Sequence, residues 1–149
     1  VHSLLGSRSW QEGVALTGHN RSINRQKIDR ADLERELVDP ASLRSQVLAA
    51  FRRLLHARAS DPAFDPYGQQ QVLRLDDSIF ALLRTSPEGD SCVLCLHNVS
   101  RRAKTVRLDP GFHRDLISGE EINADPEGLS YLLPPYAVRW FASIGPETT

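Results

Sequence analysis

The chain contains no methionine. An initiator is therefore missing, and Val1-His2-Ser3-Leu4-Leu5 opens in the middle of an apolar run, so these residues are expected to be a carboxy-terminal piece of a longer polypeptide. Any active site they serve should then lie mostly elsewhere. A surplus of charge is lacking too: 18 Lys and Arg stand against 19 Asp and Glu, a net charge of −1. That balance excludes a dedicated nucleic-acid binder and a polybasic membrane anchor, both of which recruit phosphates with excess cations. No apolar run approaches the ~20 residues that span a bilayer, and no basic-then-apolar leader opens the chain. The expected compartment is the cytoplasm.

Cysteine is limited to Cys92 and Cys95. They lie inside the apolar run Cys92-Val93-Leu94-Cys95-Leu96, where a strand would point them to opposite faces roughly 10 Å apart, beyond the ~7 Å reach of a disulfide. Core packing is expected, since free Cys is among the most buried residue types. Neither a metal site nor a cofactor is expected. Internal repeats and low-complexity tracts are absent.

The 149 residues present are 40% hydrophobic and 25% charged, enough for one globular domain, or a small one plus part of another. Residues 1–8 read as the tail of a buried strand running into a Gly-Ser turn, and residues 9–28 as a long polar loop of the kind usually given over to function. A short helix over Ala31–Leu37 follows. Asp39-Pro40 predicts the start of a long one, with Asp as cap and Pro in the first turn. Leu43, Val47, Ala50, Phe51, Leu54 and Leu55 give that helix one apolar stripe, expected to pack on a sheet. His56 and Arg58 suit its carboxy-terminal dipole.

Pro62, Pro66 and Gly68 mark the domain boundary, near residues 61–68. Beyond it come short β-type runs: Gln70–Leu75, Ile79–Thr85, Cys92–Asn98, Lys104–Leu108, His113–Ile117, and Leu129–Leu133 continuing into Tyr136–Phe141. Turn signals such as Pro87-Glu88-Gly89-Asp90 and Asp125-Pro126-Glu127-Gly128 separate them, which predicts an antiparallel sandwich. Tyr131, Tyr136, Trp140 and Phe141 cluster near the end, and strand spacing makes most of them core. The residues after Ser143 are expected to be a frayed tail.

Chemistry concentrates in Thr17-Gly18-His19-Asn20-Arg21-Ser22-Ile23-Asn24-Arg25. Asn and His donate and accept in the geometry that hydroxyls need, and Arg offers a fixed planar fork for a carboxylate. This is the chemistry of a carbohydrate site.

That segment, with His2-Ser3-Leu4-Leu5-Gly6-Ser7-Arg8, Asp39-Pro40-Ala41-Ser42-Leu43-Arg44, Ala63-Phe64-Asp65-Pro66 and the β runs through Pro135-Tyr136-Ala137-Val138-Arg139-Trp140, resembles the end of sucrose phosphorylase-like enzymes of the α-amylase superfamily, glucosylglycerate phosphorylases included. The resemblance covers residues 1–143. It implies an α+β piece: the last strand, loop and helices of a (β/α)8 barrel over residues 1–62, an antiparallel β-sandwich over 63–143, and a disordered tail over 144–149. The missing barrel of the same polypeptide would be the partner of these residues.

The implied activity is a retaining double displacement in which an Asp takes the glucosyl unit, a Glu serves as acid and then base, and phosphate receives the sugar as α-glucose 1-phosphate. Sugar and inorganic phosphate are the implied small-molecule partners, with no cofactor. The nucleophile, the acid/base and the third catalytic Asp would lie on earlier barrel strands. No acidic residue here matches them, so this chain alone is expected to be inactive. Amylase-like or amylosucrase-like transfer, or a free-standing sugar-binding β module, are the alternatives.

Residue by residue, Arg21 matches the pocket arginine that pairs with an upstream Asp and helps bind the glucosyl unit. His19, Asn20 and Asn24 are candidates for bracing the loop, and Arg25 for supporting it from behind. Where many relatives carry Asn-Asp, this chain has Ser9-Trp10; Trp10 would either stack on sugar at the acceptor side or cover the barrel rim.

Overall fold

The computed structural model describes residues 2–122 and 127–144. Of the tail expected over 144–149, Ile144 belongs instead to a strand and residues 145–149 lie outside the described residues, as do Asp125 and Pro126 of the turn Asp125-Pro126-Glu127-Gly128. The chain divides into two compact units, Val1–Leu55 and His56–Thr149.

In the first unit, residues 2–6 form turns instead of the expected strand. A strand needs a neighbour for its backbone polar groups, whereas here they are satisfied locally: Ser7 N–H donates to the His2 carbonyl at 2.9 Å and Gly6 N–H to that of Ser3 at 3.2 Å. The expected polar loop also holds structure of its own, helix α1 (Gln11–Thr17) and a 3-10 turn (Asn20–Asn24). Helix α2 (Arg30–Val38) starts at Asp29, whose carboxylate accepts from the N–H groups of Ala31 and Asp32.

Helix α3 (Leu43–Ala59) begins later than Asp39-Pro40 predicts. Asp39 caps a turn, accepting from Ala41 N–H at 2.9 Å, and Ser42 is the residue that caps the helix, its hydroxyl accepting from Ser45 N–H at 3.0 Å. No strand lies among the described residues of this unit, and the α3 stripe is left half open, with Leu43 49% and Leu55 57% exposed. Gly6 sits at φ 57° with its Cα turned onto Val47: a Cβ there would come within 2.9 Å of Val47 Cγ2.

The second unit is the expected antiparallel β domain. Strands β1 (Gln69–Asp76), β2 (Ile79–Thr85), β3 (Ser91–Asn98), β5 (Phe112–Asp115) and β7 (Val138–Ile144) form one sheet in the order β1-β2-β3-β7-β5. Strands β4 (Lys104–Leu108) and β6 (Leu129–Leu133) form a second. Alternation along the strands sorts the side chains. Ile79, Ala81, Leu94, Leu96 and Phe141 join Val106, Leu108 and Leu133 in the main core, and Val93, Cys95 and Ala142 pack with Ala63 and Phe64 in a second cluster.

The run from Leu129 to Phe141 does not continue as one strand. Pro134 and Pro135 cannot donate to a ladder, Tyr136 turns the chain at φ 56°, and β6 and β7 end in different sheets. Cys92 and Cys95 are both free, and burial pushes the Cys95 thiol up to about 12. Of the four clustered aromatics, Phe141 is fully buried, Tyr131 packs edge-on against it at 5.0 Å, Trp140 packs on Phe64 at 4.9 Å, and Tyr136 alone is exposed.

Candidate functional site

The candidate site lies wholly in the first unit, and its geometry starts at α1. The helix has no side-chain cap. It is held instead by Trp10, whose indole lies across Gly13 so closely that a Cβ on Gly13 would fall 2.0 Å from Cε3 and 2.2 Å from Cδ2. At the other end Gly18 closes the helix in the left-handed region, φ 67°, its N–H donating to the Val14 carbonyl at 2.9 Å.

The chain then folds back as the 3-10 turn that carries Arg21. Two contacts pin this turn to the helix. Trp10 N–H donates to the Ile23 carbonyl at 2.8 Å. The Thr17 and Ser22 hydroxyls meet at 2.7 Å, while Thr17 Oγ1 also donates to the Gly13 carbonyl at 2.7 Å and accepts from His19 N–H at 3.3 Å. Within the turn, Ser22 N–H donates to the His19 carbonyl and Arg25 N–H to that of Ser22, each at 3.0 Å.

Arg21, His19, Asn20, Asn24 and Arg25 are all exposed, and no side-chain hydrogen bond or ion pair holds any of them among the described residues. Bracing of the loop falls instead to Thr17 and Ser22, which sequence reasoning did not single out. The available signal was a hydroxyl at each end of a six-residue reversal through Gly18.

Beside α1 opens a hollow of about 590 Å³ lined by Arg8, Trp10, Glu12, Gln26, Glu36 and Arg44, among others. The structure brings Trp10 and Arg8 together here but does not bring Arg21 into the lining. Arg44 is committed to structure: its guanidinium pairs with Glu36 and donates to the Leu5 carbonyl at 3.2 Å and the Ser7 hydroxyl at 2.9 Å. Arg8 is exposed and free of ion pairs among the described residues. A half-buried indole beside a free guanidinium and an amide suits a polar, hydroxyl-bearing ligand. Among the described residues no three His, Cys, Asp or Glu side chains group as metal ligands, and no helix is long and apolar enough to cross a membrane.

No family model matches the chain. It is 43% identical to the glucosylglycerate phosphorylase of Spirochaeta thermophila over a 152-residue alignment, covering 94% of this chain and 26% of that protein. The glucosylglycerate phosphorylase of Escherichia coli is 34% identical over 140 residues, again 94% of this chain and 24% of the relative. The chain thus spans about a quarter of the length of the curated relatives it matches. An Anoxybacillus α-amylase superposes with a TM-score of 0.64 over 92% of this chain and 28% of its own, at 17% identity, a likeness of fold. The resemblance to glucosylglycerate phosphorylases therefore runs through nearly the whole chain, and its fold is like that of part of the Anoxybacillus α-amylase.

Proposed function

We propose that these residues form the carboxy-terminal part of a retaining phosphorylase that transfers a glucosyl unit from an α-glucoside to inorganic phosphate, giving α-glucose 1-phosphate. The observation that carries this reading is the 43% identity over 94% of the chain to a glucosylglycerate phosphorylase. The same relatives favour glucosylglycerate over sucrose as the donor. The half-open stripe of α3 supports the reading as well, since an amphipathic helix of this kind is built to cover further apolar surface, here assigned to the rest of a (β/α)8 barrel.

In this reading Arg21 projects from its pinned turn to a carboxylate on the remaining polypeptide and fixes it against the glucosyl hydroxyls, a bidentate pairing that lowers the barrier by holding reacting groups in place. Trp10 and Arg8 face the acceptor side, where a guanidinium beside an indole would suit an acceptor bearing hydroxyls and a carboxylate. The catalytic carboxylates are assigned to the rest of the polypeptide, so the 149 residues alone should not turn over.

The test is to incubate the full-length polypeptide with glucosylglycerate and, separately, with sucrose, with and without phosphate. Phosphate-dependent consumption of glucosylglycerate at a kcat/KM at least about tenfold above that for sucrose, which corresponds to ~1.4 kcal/mol of discrimination, is the expected result. Release of free glucose at the same rate without phosphate would reject phosphorolysis.

A further inference from the structure

The exposed Arg21 side chain makes no hydrogen bond or ion pair among the described residues, so the direction in which it leaves the chain is set largely by the backbone that carries it. That backbone is a 3-10 turn of five residues, a conformation with weak internal hydrogen bonding that rarely persists unaided. Its hold on α1 comes from the Trp10 N–H bond to the Ile23 carbonyl and from the Thr17–Ser22 hydroxyl pair. Thr17 lies at the centre of the second contact. One oxygen donates to the Gly13 carbonyl inside the helix, meets the Ser22 hydroxyl next to Arg21, and accepts from His19 N–H two residues before it.

We infer that Thr17 and Ser22 are positioning residues for Arg21, their hydroxyl pair locking the turn so that the guanidinium is presented in one direction before substrate arrives. This rests on the reading that Arg21 serves the glucosyl site. The physical case is preorganisation. An exposed arginine samples many rotamers, and a mobile backbone beneath it would multiply them, whereas a misplacement of about 1 Å at a positioning group can cost about 100-fold in rate. Serine and threonine hydroxyls often bond only to nearby backbone; here they also bond to each other across a reversal, so removing either one leaves the Trp10–Ile23 bond alone to hold the turn to the helix.

A double-mutant cycle on the full-length polypeptide tests this, with phosphorolysis of the glucoside as the readout. Arg21→Lys is expected to lower kcat/KM by about 100-fold or more, as a lost bidentate carboxylate contact implies. Thr17→Val, which keeps the shape and removes the hydroxyl, is expected to lower it about tenfold, with Thr17→Ser restoring it to within about twofold. In the Arg21→Lys background, Thr17→Val should then cost less than about twofold, because Thr17 acts through Arg21. Equal losses from Thr17→Val in both backgrounds, or no loss in the parent, would overturn the inference. Should Thr17→Val lower the melting temperature, Ser22→Ala completes the same cycle and is judged by the same outcomes. No loss on Arg21→Lys would instead remove the reading of Arg21 itself, so the two failures are told apart.

Discussion

Gly13 has no side chain and Trp10 uses the space. The indole carbons lie where a Cβ would be, so Gly13→Ala must expel the ring or bend the helix. Overpacking of this kind costs about 1–3 kcal/mol. The expected outcome for the 149-residue chain is a red-shifted tryptophan emission together with a lower denaturation midpoint, read in a Trp140→Phe background so that Trp10 is the only indole among these residues. An unshifted spectrum would place Trp10 elsewhere. At the same scale, the polar character of the loop was legible and its mechanics were not. Arg21 stands out by residue type and by its spacing from Arg25. Thr17 and Ser22 are ordinary loop hydroxyls in one dimension, and only the reversal through Gly18 brings them to 2.7 Å.

Among the elements, the β runs were readable because each is a short stretch of branched and aromatic residues closed by turn chemistry; Ile79–Thr85, Lys104–Leu108 and Leu129–Leu133 form with the expected bounds. Helix α1 was not readable, since Gln11–Thr17 contains a glycine and a threonine, has no capping side chain, and depends on a contact from Trp10. The Asp39-Pro40 signal was real but served a turn, with Ser42 taking the helix. Where β6 meets β7 the prolines decide the outcome, and the hydrophobic continuity across them does not make one strand.

One buried charge holds the end of the β domain. Asp115 is fully buried at the close of β5, accepting from the N–H groups of Ile117 at 3.2 Å, Ser118 at 3.3 Å and Trp140 at 3.0 Å, and from the Ser118 hydroxyl at 2.7 Å, with Arg139 at 3.6 Å. Asp115→Ala strands those donors without an acceptor and should lower unfolding stability by about 3–5 kcal/mol in denaturant titration. A loss under about 1 kcal/mol would mean that the network is not needed to join β5 to β7.

On the scale of the whole molecule, the residues divide labour between a helical unit that displays Arg21, Trp10 and Arg8, and a β unit with its own core. The β unit was foreseeable because a sandwich carries its partners within its own sequence. The helical unit was less so, because neither its open stripe nor its exposed arginine finds a complement among the described residues, and pattern alone cannot say what supplies one. The most direct measurement is proton NMR of the product formed by the full-length polypeptide from glucosylglycerate and phosphate. Retaining phosphorolysis predicts the α anomer of glucose 1-phosphate from the first turnover, while the β anomer, or free glucose in place of the phosphate ester, would contradict the account.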